Sequence, residues 1–229
     1  MNTPKNFKRF ELKYLITTEN YERILELMKD KMIADIHGKS TICNIYFDTP
    51  DYLLIRRSLD KPVYKEKLRL RSYGLPNDDT TVFLELKKKY YKIVYKRREC
   101  LKYKDALEFI KNHEPFSQVT REIAYFMDLY QGIKPAIFIS YDREAFYSID
   151  DKNLRITFDT NIMGRNENVS FDEGIYGHTI LKEGMILMEI KAIKALPLWL
   201  CDFLTEEHIF RKSFSKYGDL YKYLKSIKN

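Results

Sequence analysis

The sequence predicts an α+β fold in which eight antiparallel strands close into a β-barrel flanked by helices. Three observations support this prediction. Eight segments alternate apolar and polar residues and are rich in Val, Ile, Tyr, Phe and Thr, turn-forming residues join several of them as hairpins, and charged residues recur at every second strand position. Closure removes the unpaired edges that long strands otherwise expose. The alternative is an open α+β sheet with helices on one face.

The predicted strands share the period-two alternation of β-structure. The segments GLPNDDTT and KKYYK predict hairpins that make the third, fourth and fifth strands a meander, and IDDKN at 149–153 predicts a turn between the sixth and seventh strands. The eight strands comprise residues 7–16, 42–49, 63–74, 80–88, 91–100, 135–148, 153–161 and 184–193.

Helical periodicity occurs between and after the strands. The first helix follows Thr18, a predicted N-cap, and the helix near residue 197 has Pro197 in its opening turn, where proline is tolerated. The segment 103–131 predicts one helix or two, broken near NHEPFS. The predicted helices comprise residues 18–33, 51–60, 103–131, 197–208 and 214–227.

Length and composition indicate a single globular domain, residues 1–229. Of the 229 residues, 45% are hydrophobic, enough for a substantial core. The net charge of +7 predicts an anionic partner without naming it. The three cysteines form no disulfide framework, and no segment has the ~20 apolar residues of a membrane span. We therefore expect a cytoplasmic protein with no membrane span.

Charged residues at spacing two run along most of the predicted strands. In FLELK and LMEIK, large apolar residues alternate with Glu and Lys, so each strand has one apolar and one charged face. If the apolar faces pack under the helices, the charged faces converge inside the barrel. The residues on these faces are Arg9, Glu11, Lys13, Lys65, Lys67, Arg69, Arg71, Glu85, Lys87, Lys89, Lys96, Arg98, Arg143, Arg155, Thr157, Asp159, Glu189 and Lys191.

A basic barrel interior needs an anionic occupant, because buried charges are tolerated only when they are paired. Phosphate chains match the hydrogen-bonding geometry of Arg and Lys. Carboxylates on the same faces suit Mg²⁺ or Mn²⁺, which prefers oxygen ligands and bridges protein to phosphate. For any one strand, the competing interpretation is a solvated outer face. The candidate metal ligands are Glu11, Glu85, Asp159 and Glu189.

Eight ordered motifs resemble the VTC domain, the catalytic domain of the vacuolar transporter chaperone polyphosphate polymerase and its bacterial relatives. They are RFELKY, KLRLRSY, FLELKKK, VYKRRE, YDREAF, LRITFD, LMEIKA and SFSKY, and the resemblance covers residues 5 to 225. This family belongs to the triphosphate tunnel metalloenzymes, which include the CYTH triphosphatases. Arg9 occupies the first Glu position of the CYTH signature Glu-x-Glu-x-Lys, which favours the VTC branch.

The resemblance implies an eight-stranded tunnel that holds a triphosphate, with a divalent metal opposite a cationic wall. It implies Glu189 as the metal-binding carboxylate, and Glu11, Glu85 and Asp159 stay further candidates. The expected catalytic residues are Lys13, Arg69, Arg71, Lys87, Arg143 and Lys216. The motifs and the strand alternation together predict a set of phosphate-binding residues, which are Lys67, Lys96, Arg98, Arg155 and Lys191.

The implied activity is metal-dependent phosphoryl transfer, and the acceptor decides the product. A phosphate chain as acceptor gives polyphosphate synthesis from the ATP γ-phosphate, which the resemblance favours, whereas water as acceptor makes the protein a triphosphatase. Two other hypotheses are a non-catalytic polyphosphate- or nucleotide-binding module and a basic RNA-binding protein that uses its outer face. We expect ATP or another triphosphate and polyphosphate as partners and no nucleic acid. The sequence does not predict an oligomeric state.

Overall fold

The computed structural model describes residues 10–36, 38–91 and 93–227. Arg9, which the sequence analysis assigned to the first strand, lies outside these residues. The described residues form ten strands, which are β1 (Phe10–Thr17), β2 (Met32–Ala34), β3 (Ser40–Asp48), β4 (Tyr64–Tyr73), β5 (Thr81–Tyr90), β6 (Ile93–Lys102), β7 (Lys134–Ser148), β8 (Arg155–Arg165), β9 (His178–Thr179) and β10 (Met185–Ala192).

Six helices accompany these strands in the described part of the chain. The segment 103–131 forms two of them, because His113 takes a left-handed backbone conformation and Ser117 then caps a new helix with its hydroxyl group. The helices are α1 (Thr18–Met28), α2 (Leu53–Leu59), α3 (Tyr103–Asn112), α4 (Gln118–Leu129), α5 (Leu198–Glu206) and α6 (Lys216–Ser226).

The strands form one antiparallel sheet, which confirms the predicted α+β class. Its order is β1-β10-β8-β7-β3-β4-β5-β6, with β2 on β7 and β9 on β8. This order has two ends, β1 and β6, so strand pairing among the described residues does not close the sheet as the barrel prediction requires. The end strand β6 is exposed along most of its length and carries Lys and Arg, which protect an unpaired edge from pairing with other chains.

The chain divides into two compact units. Unit 1 comprises residues 1–40, 142–161 and 181–214, and unit 2 comprises 41–141, 162–180 and 215–229. Strand β7 passes from unit 2 to unit 1 after Tyr141, and β8 passes from unit 1 to unit 2 after Asn161. That residues 1–229 act as a single domain stays a prediction.

In unit 1, alternation along the strands separates an apolar face from a charged one. Tyr14 and Ile16 of β1 are buried with Met188 and Ile190 of β10, and α1 contributes Ile24 to the same core. The intervening positions carry Glu11, Lys13, Glu189 and Lys191, so the charges occupy the opposite face. The predicted alternation is therefore present in the folded chain.

In unit 2, the same alternation builds a second core. Leu68 and Leu70 of β4 and Leu84 of β5 are buried beneath helices α3 and α4, which contribute Phe109 and Phe126. The odd-numbered positions of β4 and β5, from residue 65 to 71 and from 85 to 89, carry the charged residues. The apolar core thus fixes the face on which these charges lie.

Most predicted boundaries differ from the structure by one to three residues, and three differences change an assignment. Helix α1 ends at Met28 instead of residue 33, because residues 32–34 form β2 and pair with β7. Thr17, not Thr18, caps α1, since its hydroxyl accepts a hydrogen bond from the backbone N–H of Asn20. Strand β8 continues to Arg165, where β9 pairs with it. No helix in the described residues is both long and apolar enough to span a bilayer.

Candidate functional site

The predicted site residues fall into two groups, one in each compact unit. Except for Lys216, which begins helix α6, both groups lie on the charged faces of their strands, opposite the apolar cores. Unit 2 contains Lys67, Arg69, Arg71, Glu85, Lys87, Lys96, Arg98 and Lys216. Unit 1 contains Glu11, Lys13, Arg143, Arg155, Asp159, Glu189 and Lys191.

In unit 2, strand register brings three cations to one carboxylate. Arg69 of β4 pairs in register with Glu85 of β5, which pairs with Arg98 of β6. Arg69 Nε and Nη2 lie 2.7 and 2.6 Å from Glu85 Oε2, and Arg98 Nε and Nη2 lie 2.7 and 2.6 Å from Oε1. Lys96 Nζ also lies 2.6 Å from Oε1. We call Glu85, Arg69, Lys96 and Arg98 the Glu85 cluster.

The Glu85 carboxylate is held as an anion inside the protein. Its residue is 1% exposed, so an unpaired charge there would be costly. Burial raises the pKa of the Glu85 carboxyl, but the positive charges of Arg69, Arg71 and Lys96 outweigh burial and keep that pKa well below its usual range. Glu85 therefore acts as a fixed counter-ion that positions three cationic side chains.

Neutral polar residues, which the sequence analysis did not single out, complete this face of unit 2. The buried Arg71 donates from Nε to Asn44 Oδ1 at 3.0 Å and from Nη2 to the Tyr141 hydroxyl at 3.2 Å. Arg69 Nη1 donates to the Tyr46 hydroxyl at 3.2 Å. Asn44 and Tyr46 are two residues apart in TICNIYFD, the β3 sequence that ends at Asp48. This spacing was the signal in the sequence that could have placed both side chains on the same face.

Tyr46 responds to the charges around it. Burial raises the pKa of its phenol, yet Arg69, Lys67 and Arg71 favour the phenolate more strongly and lower the pKa of Tyr46 to about 8. The positive charges on the surrounding face thus stabilise the ionised form of Tyr46. The lowered pKa agrees with the excess of cations over carboxylates on this face.

The other predicted cations of unit 2 differ in their surroundings. Lys67 Nζ donates to Ser215 Oγ at 3.3 Å and lies 5.9 Å from the centre of the Tyr217 ring. Lys216 is buried, with Nζ 4.4 Å from the centre of the Tyr141 ring. Lys87 is exposed and stands in register with Lys67 and Lys96. The face therefore holds cations beyond those that contact Glu85.

In unit 1, Glu189 and Asp159 form the second charged group. Arg143 Nε and Nη2 each lie 2.6 Å from one oxygen of Asp159, and Nη2 lies 3.4 Å from Glu189 Oε2. Lys13 Nζ lies 3.3 Å from Glu189 Oε1 and 3.7 Å from Glu11 Oε1. We call these five residues the Glu189 cluster.

Two further predicted cations, Lys191 and Arg155, share this face of unit 1. They stand in register on β10 and β8, and Lys191 is also opposite Glu11 of β1. Burial lowers the pKa of Lys191 to about 8, and Glu11 and Glu189 only partly offset that effect. Arg155 contacts Asp35 at 3.6 Å and lies 4.8 Å from the Tyr147 ring centre.

The predicted metal ligands are divided between the two compact units. Glu85 belongs to the cation-rich face of unit 2, whereas Glu11, Asp159 and Glu189 share one face of three adjacent strands in unit 1. Within residues 10–36, 38–91 and 93–227, no three His, Cys, Asp or Glu side chains are arranged as a preformed metal site. Glu189 contacts Lys13 and Arg143, and Asp159 contacts Arg143.

The chemistry of the unit 1 carboxylates nevertheless fits Mg²⁺ or Mn²⁺. Oxygen donors on neighbouring strands are the ligands that these hard cations prefer. Thr157, directly opposite Glu189 in register, buries an Oγ1 atom for which the described residues supply no hydrogen-bond partner. An oxygen atom left unsatisfied beside Glu189 suits a bound ion or its water ligand.

Comparison with known proteins gives one family over nearly the whole chain. A family model described as VTC domain matches residues 8–225. Subunit 4 of the vacuolar transporter chaperone complex of Schizosaccharomyces pombe is 26% identical over 193 residues, which are 70% of this chain. The chain spans only 26% of the length of that relative.

Solved structures with similar folds include two proteins that are described as putative adenylate or adenylyl cyclases. A putative adenylate cyclase from Bacillus halodurans has a TM-score of 0.55 at 14% identity, covering 91% of this chain and 95% of that chain. A putative adenylyl cyclase from Hippeastrum, described as revealing a dominant triphosphatase activity, has a TM-score of 0.55 at 16% identity, covering 91% and 92%. At these identities the likeness shows the fold alone.

Proposed function

Because the chain belongs to the VTC domain family, we propose that it transfers phosphoryl groups from a bound triphosphate, with ATP as donor and a phosphate chain as acceptor and product. The observation that carries this proposal is the Glu85 cluster, in which Arg69, Lys96 and Arg98 meet on one face around one buried carboxylate. Cations outnumber carboxylates on this face, so an anion is its natural ligand.

The role of the Glu85 cluster would be to bind and orient phosphate oxygens. Phosphoryl transfer needs little covalent assistance from a protein, and positioning with charge stabilisation supplies most of the rate. Arg69 and Arg71 are already fixed by hydrogen bonds to Glu85, Tyr46, Asn44 and Tyr141. Such side chains lose little conformational entropy when they bind phosphate, which favours tight and well-oriented binding.

The Glu189 cluster would hold the divalent ion. Glu189, with Glu11 and Asp159, would be its carboxylate ligands, while Lys13 and Arg143 would hold those carboxylates in place. When bound, Mg²⁺ or Mn²⁺ neutralises charge on phosphate oxygens during transfer. Under this proposal Glu85 positions cations and is not a metal ligand.

Two other hypotheses receive different support. Triphosphate hydrolysis uses the same residues with water as acceptor, and it is the second candidate because a protein of similar fold is described as having triphosphatase activity. RNA binding through these arginines requires them to lie on an open surface. Arg71 is 8% exposed, which opposes that hypothesis.

Consumption of ATP in the presence of Mn²⁺ tests the proposed activity. We expect turnover by the wild type and its loss in Arg69→Ala and in Glu189→Ala. Arg97→Ala is the matched control, because Arg97 lies on β6 next to Arg98 but contacts Glu122 on the other face. Full turnover in Arg69→Ala or Glu189→Ala, with the fold retained, would refute the assignment of the site.

A further inference from the structure

An exposed apolar patch covers the end of the β5–β6 hairpin and the adjoining start of β4. Its seven side chains are each between 46% and 64% exposed, which is unusual for large apolar residues grouped together. We call them the hairpin patch, and they are Val63, Tyr64, Tyr90, Tyr91, Ile93, Val94 and Tyr95.

The residues of the hairpin patch adjoin one another on three neighbouring strands. Tyr64 stands in register with Tyr90, which stands in register with Ile93. The backbone N–H of Tyr91 donates to the carbonyl of Val63 at 2.7 Å, and the Tyr90 and Tyr91 rings are 4.7 Å apart between centres. Tyr64, Tyr90, Ile93 and Tyr95 share one face of these strands and Val94 lies on the other, so the patch includes both faces of the hairpin end and belongs entirely to unit 2.

Lysines surround the hairpin patch. Lys89 stands in register with Val94 and with Lys65, and Lys88 stands in register with Tyr95. Burial lowers the pKa of Lys65, and the charges of Lys89, Lys87 and Lys61 lower it further, so these ammonium groups repel one another. Glu66 in this region is buried, is bonded to Tyr64 and Tyr130, and pairs with Lys88 at 3.6 Å, so the free charge beside the patch comes from Lys61 and Lys89.

We propose that the hairpin patch docks the protein on the surface of an anionic lipid bilayer. Tyr side chains favour the boundary between head groups and acyl chains, where an apolar ring and a polar hydroxyl are both satisfied. Ile93 and Val94 would enter the apolar side of that boundary. Lys61 and Lys89 would contact the negative charges of the lipid head groups.

Charge distinguishes this occupant from a second copy of the chain. A symmetric dimer through the hairpin patch would bring the lysines of both copies together without matching carboxylates, which opposes association. Nucleic acid would be attracted by the same lysines and its bases could stack on the tyrosines, whereas the exposed aliphatic residues Val63, Ile93 and Val94 gain only from transfer into an apolar phase. An apolar tip within a ring of lysines is complementary to an anionic bilayer.

Vesicle co-sedimentation of the full chain tests this proposal. We expect binding to vesicles of phosphatidylcholine with phosphatidylserine, and little binding to phosphatidylcholine alone. The variant Tyr91→Ser with Ile93→Ser should lower the partition coefficient by about ten-fold or more. Lys61→Gln with Lys89→Gln should lower it by about five-fold for each lysine removed, and added salt should weaken binding by the wild type.

Phe210→Ser is the matched control, since Phe210 is also an exposed aromatic residue but lies far along the chain in unit 1. Its vesicle binding should equal that of the wild type. Hydrogen exchange in residues 88–91 and 93–96 of the wild type should slow when anionic vesicles are added, which tests the contact without any substitution. Absence of vesicle binding, or binding that the hairpin variants leave unchanged, overturns the proposal. The proposal is also overturned if the wild type binds no vesicles but forms a dimer or an RNA complex that is lost in the Tyr91→Ser/Ile93→Ser variant.

Discussion

Arg143 and Asp159 form a two-point ion pair, with Arg143 Nε and Nη2 each 2.6 Å from a different oxygen of the Asp159 carboxylate. Asp159 is completely buried, and its neighbour on the same face, Glu189, contacts the same guanidinium. Such a pair is strongly directional. It fixes where the carboxylates of the Glu189 cluster stand before any ligand binds.

Removal of Asp159 is expected to destabilise the fold. In Asp159→Ala, Arg143 loses its two-point partner in a buried position, and we expect the free energy of unfolding to fall by about 3 kcal/mol. Urea denaturation measures this change. Glu122→Ala, which removes the partner of the exposed Arg97, should change that free energy by less than about 0.5 kcal/mol. Equal effects of the two substitutions would contradict the structural role given to Asp159.

Glu85 is expected to make the fold sensitive to acid. Its pKa in the folded protein is lowered from an ordinary 4.5, so its stabilising contribution is complete above pH 4.5 and is lost as pH falls below that value. The difference in unfolding free energy between the wild type and Glu85→Gln should therefore be largest near neutral pH and shrink in acid. Urea denaturation over a pH series measures it. A difference that does not vary with pH would show that Glu85 is not held as an anion.

Lys191 is expected to make triphosphate binding depend on pH. Its pKa near 8 means that the ammonium charge is lost as pH rises through about 8, so affinity for an anion should fall there. Lys191→Arg keeps its charge and should hold its affinity over the same range. Calorimetric titration with tripolyphosphate measures this, in a Tyr46→Phe background because Tyr46 also titrates near pH 8. Parallel pH profiles in both proteins would exclude Lys191 from phosphate binding.

Arg98 and Arg97 offer a matched test of which face of β6 binds phosphate. Arg98 belongs to the Glu85 cluster, whereas Arg97 contacts Glu122 of α4. Arg98→Ala should weaken tripolyphosphate binding by about ten-fold and reduce its dependence on salt, because one charge-assisted contact is removed. Arg97→Ala should leave both unchanged. If Arg97→Ala has the larger effect, the binding face has been assigned to the wrong side of the strand.

The charged faces could be predicted from the sequence because the period of two is visible in each strand alone. Which charged residues contact one another on these faces could not be predicted, since these contacts depend on strand register. Arg69 lies opposite Glu85 because the length of the β4–β5 connection sets the register of these two strands. Asn44, Tyr46 and Tyr141 were not predicted, because a neutral polar residue in a strand carries no charge pattern. Strand β2 was assigned to a helix because three residues are too short to show a period.

The length of the phosphate product tests the central claim most directly. The wild-type protein is incubated with ATP and Mn²⁺, and the products are resolved on a gel that separates phosphate chains by length. The proposed function predicts long phosphate chains and ADP, and their loss in Arg69→Ala and in Glu189→Ala. Orthophosphate alone would make the protein a hydrolase and contradict polyphosphate synthesis. No turnover of either ATP or tripolyphosphate, despite binding, would contradict catalysis altogether.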